Sequence, residues 1–354
     1  MVAEGLRASS HSPKNGSLLI LLLGLLPIIS IAGYGIVHEL LSASSTNIAY
    51  GANVDMTAII PGTPYTVTTA HGGNFFDLAE QLGINTLRIT DVRWELTGEE
   101  YSQATWQRVF DEASQRHIHI ILLLIDGKGH SATEQAHTLL ESYQLGYASA
   151  LWLVDLDNEP DLSDPQRMSA LRKEATYVHE VAPGVPVTIG GWKSEMPGHP
   201  GEFDWQDPAD IPKFISLVDV VSPHLYQFGE GAQQGFTPQQ WTRNFLSAVR
   251  QKAQQKPILL EEFGASNGLA PTTASNPMGS PEWQASVYHG VLQEIAAEYH
   301  NHKVIGAVAW ISAPRMLQPD DLQGDMSGWA FILNNGQRLL PAAKQFSALP
   351  NTQP

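Results

Sequence analysis

The sequence predicts an α/β fold, a single (β/α)8 TIM barrel, because short apolar runs alternate eight times with segments of helical spacing. The runs are rich in Val, Ile and Leu without polar alternation, as expected for parallel strands that are buried on both faces. No change of composition and no Pro- or Ser-rich linker divides residues 47–354. A doubly wound open sheet is the alternative, but it would normally use fewer strands in one domain.

The predicted elements follow one another regularly along the chain. The strands are residues 48–54, 86–89, 118–125, 151–156, 186–189, 218–221, 257–260 and 304–310. Between them, apolar residues recur at helical spacing in stripes that begin at Trp106, Met168, Trp241 and Val287. Such stripes predict helices that face a core rather than binding surfaces.

An uncharged apolar segment precedes the predicted barrel. This segment, residues 17–37, is long enough to cross a hydrocarbon layer of about 30 Å as a helix. Arg7 and Lys14 lie on its N-terminal side, so the positive-inside bias predicts that residues 1–16 stay in the cytoplasm. Residues 38–46 form a polar tether, and everything that follows the apolar segment is expected to be exported.

A cleaved signal peptide is the alternative interpretation of this segment, because the small residues at 30–32 offer a cleavage site. The apolar run is longer than the usual signal-peptide core of about 7–15 residues, and this favours an uncleaved anchor. In both cases the predicted location of the barrel is extracytoplasmic, either membrane-anchored or secreted.

Composition and charge exclude several classes of function. Asp and Glu number 36 against 20 Lys and Arg, and the resulting net charge of −16 disfavours nucleic acid as a partner. Cysteine is absent, so disulfides, iron–sulfur clusters and thiol nucleophiles are excluded. No HExxH, Walker A or dinucleotide motif is present. We therefore predict a monomer with no cofactor and no metal, which contacts the membrane through residues 17–37.

Functional residues of such a barrel gather where strands end. The chain places there Arg88 at the end of the second strand, Asn158 and Glu159 after the fourth, His224 and Tyr226 after the sixth, Glu261 and Glu262 after the seventh, and Trp310 at the end of the eighth. A buried carboxylate is costly unless it is paired or protonated. Two carboxyl groups across a cleft are the minimum equipment for glycosidic bond hydrolysis, in which one donates a proton and the other stays ionised.

At these positions the sequence resembles the clan A retaining glycoside hydrolases, above all the family 5 cellulases and mannanases. Asn158–Glu159–Pro160 is similar to the acid/base motif, Glu262–Phe263–Gly264 to the nucleophile motif and His224–Leu225–Tyr226 to the His-x-Tyr motif, while Arg88 and Trp310 match single family positions. The resemblance covers residues 47–349. Asp155 replaces a usual glutamate, and Asn158–Glu159–Pro160–Asp161 is also similar to a fungal-type β-1,3-glucanase family, so the family within the clan stays open.

The resemblance implies that Glu159 is the general acid/base and Glu262 the nucleophile. Arg88 is then expected to keep Glu262 ionised, and Tyr226 to donate a hydrogen bond to it. Asn158 fits a donor to the sugar 2-hydroxyl, while His224 would orient a neighbour or touch the substrate.

Glu261 is the competing candidate for nucleophile. Neighbouring residues of a strand point to opposite sides, so we expect only one of the two glutamates in the cleft, and the phase favours Glu262. Five tryptophans near strand ends are candidates for stacking on sugar rings, with core packing as the alternative: Trp94, Trp192, Trp205, Trp310 and Trp329.

The predicted function is hydrolysis of O-glycosidic bonds in a β-linked polysaccharide or oligosaccharide by a retaining double-displacement mechanism. A catalytically silent, carbohydrate-binding barrel at the cell surface is one alternative. A transglycosylase is the other, because the same covalent intermediate serves both outcomes. The glycan, its linkage and endo or exo action stay open.

Overall fold

The computed structural model describes residues 48–269, 279–313 and 328–348, in which eight parallel strands form a barrel. They are β1 Ala49–Asp55, β2 Thr86–Thr90, β3 His119–Leu123, β4 Leu151–Asn158, β5 Val187–Gly190, β6 His224–Leu225, β7 Ile258–Phe263 and β8 Val304–Ala309. Their order in the sheet is β5-β4-β3-β2-β1-β8-β7-β6. A parallel bridge between Gly190 and Ser222 joins the two ends of this order. The predicted (β/α)8 TIM barrel is confirmed.

Helices cover the outside of the barrel. They are α1 Met56–Ile59, α2 Phe75–Leu82, α3 Val92–Thr97, α4 Gln103–Gln115, α5 Ala132–Ala136, α6 Pro165–Val181, α7 Ile211–Phe214, α8 Phe228–Gln233, α9 Pro238–Lys252, α10 Pro281–His302 and α11 Ala343–Ser347. The stripe that begins at Trp106 is buried as predicted, since Trp106 has no exposed surface. Thr237 starts α9 with a capping box, which satisfies backbone donors at the helix end.

The sixth strand differs from its prediction. Residues 218–221 were expected to form it, whereas β6 comprises only His224–Leu225. Val221 and Ser222 make isolated bridges to β7 and β5. Pro223 lacks an amide hydrogen, and it therefore interrupts the ladder between these bridges and β6.

Two strands carry a bulge at the end where the site lies. In β4, Asp155 pairs with Thr188 but Asn158 pairs with Gly190, so β4 advances three residues while β5 advances two. In β7 the register with β8 slips in the same way between Leu260 and Phe263. A bulge interrupts the alternation of side chains. Asp155 and Asn158 of β4 therefore both reach Arg88, and so do Glu261 and Glu262 of β7.

The predicted apolar segment 17–37, the N-terminus and the tether lie outside the described residues. Within the part of the chain that the structure describes, no helix is both long and apolar enough to cross a membrane. The described residues all fall in one compact unit. Two short antiparallel hairpins extend it, Lys193–Glu195 with Phe203–Trp205 and Ile332–Leu333 with Arg338–Leu339.

Candidate active site

Arg88 on β2 lies at the centre of the site and has no exposed surface. Its Nε and Nη2 donate to Asp155 Oδ2 at 2.9 and 2.5 Å, and its Nη1 donates to Asn53 Oδ1 at 2.8 Å. Nη1 also donates to Glu262 Oε1 at 2.6 Å, and Nη2 to Asn158 Oδ1 at 2.9 Å. A guanidinium has five N–H groups. All five are therefore committed to these four residues.

Burial alone would lower the pKa of Arg88, but the facing acids, Asp155 above all and also Glu262, raise it above its usual value. The arginine is therefore a fixed positive charge. The pKa of the Asp155 carboxyl is raised as well, because burial outweighs the contact with Arg88.

Glu262 on β7 lies in the cleft with 4% of its surface exposed. Its Oε1 accepts from Arg88, and its Oε2 accepts from the Tyr226 hydroxyl at 2.5 Å. Burial and the charge of Glu262 raise the pKa of Tyr226 well above its usual range, so the phenol keeps its proton. Two donors on separate strand ends thus fix both oxygens of this carboxylate.

Glu159 follows β4 in a left-handed backbone conformation, with φ of 54°. Its amide donates to the Gly190 carbonyl at 2.7 Å. Its Oε1 lies 2.9 Å from Nδ1 of His224, which is fully buried. Burial raises the pKa of Glu159, but the hydrogen bond and charge of His224, with Arg88 and Lys193, outweigh it. The net effect is a pKa below the ordinary value.

One imidazole nitrogen brings the two glutamates together. His224 Nδ1 lies 2.9 Å from Glu159 Oε1 and 3.5 Å from Glu262 Oε2. The two carboxylate oxygens therefore cannot be farther apart than these distances combined. That bound applies to one oxygen of each carboxyl group, and it is compatible with the carboxyl separation of about 5–5.5 Å in retaining glycosidases.

A cleft of about 440 Å³ opens above this cluster. The predicted residues that line it are Arg88, Asn158, Glu159, Tyr226, Glu262 and Trp310. His224 is absent from the lining and supports Glu159 from behind. Glu95, Asp126 and Asp157 add three carboxyl groups to the wall.

Sequence reasoning missed Asn53 and Asp157. Asn53 is a buried polar residue in the apolar strand β1, and this exception to the strand pattern was the available signal. Asp157 is paired with Arg167 at 2.6 Å, yet burial raises the pKa of Asp157 to about 6. Asp155, which departs from the family pattern, accepts two hydrogen bonds from Arg88.

The expected orientation of Glu261 is wrong. Strand alternation predicted that it would point away from Glu262, but the bulge in β7 turns both side chains toward Arg88. Glu261 is fully buried and is not part of the cleft wall, whereas Glu262 is.

The tryptophans divide into three groups. Trp310 lines the cleft, and the half-buried Trp329 lies edge-on to Tyr226 at 5.7 Å between ring centroids. Trp94 and Trp192 are buried and donate to backbone carbonyls, which is core packing. Trp205 is 44% exposed on its hairpin. Within the described ranges no cluster of three His, Asp or Glu side chains is arranged to hold a metal ion.

No family model and no curated protein matches this chain. Solved structures do match it. A β-glucuronidase of an uncultured Clostridium sp. is 15% identical with a TM-score of 0.53, over 84% of this chain and 49% of that chain. A mutant family 5 mannosidase of Rhizomucor miehei in complex with mannosyl-fructose is 14% identical with a TM-score of 0.54, over 86% and 93%. An endo-β-1,4-mannanase of Thermotoga petrophila is 15% identical with a TM-score of 0.50, over 85% and 76%.

The chain thus spans about half the length of the glucuronidase, and most of the length of the mannosidase and the mannanase. Identities this low establish a shared fold rather than a shared substrate. This chain has the (β/α)8 barrel found in these glycoside hydrolases.

Proposed function

We propose that the protein hydrolyses O-glycosidic bonds of a β-linked polysaccharide or oligosaccharide with retention of configuration. The observation that carries this proposal is the single His224 nitrogen that contacts both Glu159 and Glu262. This shared contact supports a carboxyl pair in one cleft that is close enough for the separation of about 5–5.5 Å used by retaining enzymes.

Glu262 is the nucleophile in this mechanism, and Glu159 is the acid/base. Glu159 protonates the leaving glycosidic oxygen while Glu262 attacks the anomeric carbon, which forms a glycosyl–enzyme ester. Glu159 then takes a proton from water, which attacks the same carbon and releases Glu262. Arg88 and Tyr226 hold the nucleophile in position through both steps.

The wall of the cleft favours a hydrolase over a silent binding barrel. Arg88 commits every N–H to side chains of the site, and this arrangement serves a reactive carboxylate rather than the stacking of a sugar. The neighbouring structures bear the names mannosidase and mannanase, which makes β-mannosides the first substrates to test. Transfer to a second sugar would use the same ester, with that sugar in place of water.

The test uses the purified full-length chain in detergent. We expect hydrolysis of at least one member of a panel of mannan, cellulose, β-1,3-glucan and aryl β-glycosides. Proton NMR at early times should show the β-anomer of the product before mutarotation. Early appearance of the α-anomer would contradict the assignment of Glu262 as a nucleophile.

Replacement of His224 with glutamine is expected to move the alkaline limb of kcat/KM on natural sugars to higher pH. The first step needs protonated Glu159, so kcat/KM falls as pH rises through the pKa of this group. His224 is the main reason that this pKa is low, and without it burial raises the pKa. His179→Gln is the control, since His179 pairs with Asp219 rather than with Glu159. If the alkaline limb of kcat/KM does not move in His224→Gln, then His224 does not lower the pKa of Glu159.

We also propose that the barrel works outside the cytoplasm, tethered by residues 17–37 or released after cleavage. Protease added to intact cells is then expected to digest the tethered barrel, and a released barrel should be found in the medium. Blotting for the barrel before and after lysis measures this. A cell-associated barrel that is digested only after lysis would contradict the proposed location.

A further inference from the structure

Glu261 is a buried acid to which the mechanism above assigns no role. It has no exposed surface, and neither of its carboxyl oxygens has a hydrogen-bond partner of good geometry among the described residues. Buried polar groups are nearly always hydrogen-bonded, and an unpaired buried carboxylate is among the costliest exceptions.

The nearest positive charge, Arg88, donates no hydrogen bond to the Glu261 carboxyl group. Arg88 Nε lies 3.5 Å from Glu261 Oε1, but that N–H already points at Asp155. The other four N–H groups of Arg88 are committed as well. Glu261 therefore touches the guanidinium without receiving a hydrogen bond from it.

Apart from the Ser222 hydroxyl, the remaining surroundings offer no compensation for a negative charge on Glu261. Gly190 on β5 faces the cluster, and a Cβ there would lie 2.6 Å from Arg88 Nη2 and 3.1 Å from Glu261 Oε2. From β1, Asn53 donates to the backbone carbonyl of Glu261 rather than to its carboxyl group. From β6, His224 directs its Nδ1 to Glu159.

The charges nearest to Glu261 favour its neutral form. Burial raises the pKa of Glu261 well above its usual range, and the carboxylates of Asp155 and Glu262 raise it further. Arg88 and the Ser222 hydroxyl oppose this shift without cancelling it.

We propose that Glu261 is a neutral carboxylic acid, so that Arg88 pairs its positive charge with Asp155 and Glu262. Because Glu261 does not compete for Arg88, it acts as a positioning residue for the nucleophile. The role in positioning rests on the proposed function, whereas the neutral state does not. An ionised Glu261 would place a second negative charge beside Glu262 and compete for the same arginine.

Infrared spectroscopy tests the neutral state directly. At neutral pH, the wild-type minus Glu261→Gln difference spectrum of the full-length protein should contain the carbonyl band of a protonated carboxyl group. Glu294 provides the matched control: it is also buried, with 1% exposure, but Arg243 donates to both of its oxygens at 2.8 Å. Wild type minus Glu294→Gln should lack the band. Carboxylate bands instead of a carbonyl band for Glu261 would overturn the proposal.

Thermal unfolding provides a second test, because the proposal fixes the sign of the Tm difference between wild type and Glu261→Gln. Where the folded pKa of an acid exceeds its unfolded value of about 4.3, stability falls as pH rises between the two values. Glu261→Gln escapes this loss, so its Tm should match wild type near about pH 4 and exceed it by a few degrees near about pH 8. Glu294→Gln should be less stable than wild type at neutral pH, because it removes the charge that faces Arg243. A loss of the same sign in Glu261→Gln would show that Glu261 is ionised.

An aryl glycoside with an activated leaving group tests the positioning role. Its first step needs no proton from Glu159, so the alkaline limb of kcat/KM on this substrate reports other groups. We expect that limb to move to higher pH in Glu261→Gln and to stay in place in Glu294→Gln. An unmoved limb would refute positioning. Failure to hydrolyse any glycoside would refute the proposed function, while the infrared and thermal results would still decide the state of Glu261.

Discussion

Glu262→Ala is expected to reduce kcat/KM by about 10⁴-fold or more on every glycoside, or roughly 5.4 kcal/mol of transition-state stabilisation. The substitution removes the atom that would form the covalent bond to the anomeric carbon. Arg88 and Tyr226 would remain, but they would hold no nucleophile. Steady-state kinetics on an aryl glycoside and on a polysaccharide measure the loss.

Added azide distinguishes this explanation from misfolding. The anion can occupy the space that the carboxylate vacates, and it should form a glycosyl azide of inverted configuration. Glu80→Gln is the control, because Glu80 lies on α2 outside the cleft and pairs with Arg116. Full activity in a folded Glu262→Ala protein would show that the nucleophile is another residue.

Glu159→Ala is expected to produce a loss that depends on the leaving group. The loss should be about 10²–10⁴-fold for natural sugars, which is the usual contribution of general acid catalysis. For an activated aryl glycoside the first step should be nearly normal, because that leaving group needs no proton. Release of the sugar should then become slow, since no base activates water. A burst of aryl product followed by slow turnover is the expected signature.

An equal loss on both kinds of substrate would contradict this role of Glu159. The same measurement on Glu80→Gln provides the reference, and circular dichroism checks that each variant is folded. A loss of kcat/KM on natural sugars, together with a burst of aryl product and slow turnover afterwards, would support the assignment of Glu159 as the acid/base.

Much of the barrel could be predicted because its determinants are local. Runs of Val, Ile and Leu mark strands buried on both faces, and stripes such as the one at Trp106 mark the covering helices. The order of polar residues at strand ends then placed Arg88, Glu159 and Glu262 at one end of the barrel. This step needed only the rule that parallel strands end on the same face.

The remainder depended on pairing between strands that are distant in sequence. The bulge in β7 exists because of its register with β8, and nothing in the letters Glu261–Glu262 reveals it. The role of Asn53 depended on the same kind of information, since its partner Arg88 comes from a different strand. Alternation along a single strand is therefore a weak guide at strand ends, where bulges are common.

The left-handed backbone at Glu159 also affects which mutations at this position the fold tolerates during evolution. This conformation costs residues other than glycine roughly 1–2 kcal/mol of conformational free energy, whereas glycine adopts it freely. Glutamate codons become glycine codons by one base change, so a single mutation removes the proton donor and relaxes the backbone at once. One readily accessible inactivating mutation is thus one that relieves backbone strain in the fold. A lineage of this barrel can therefore lose its acid/base by drift and still persist as a folded protein.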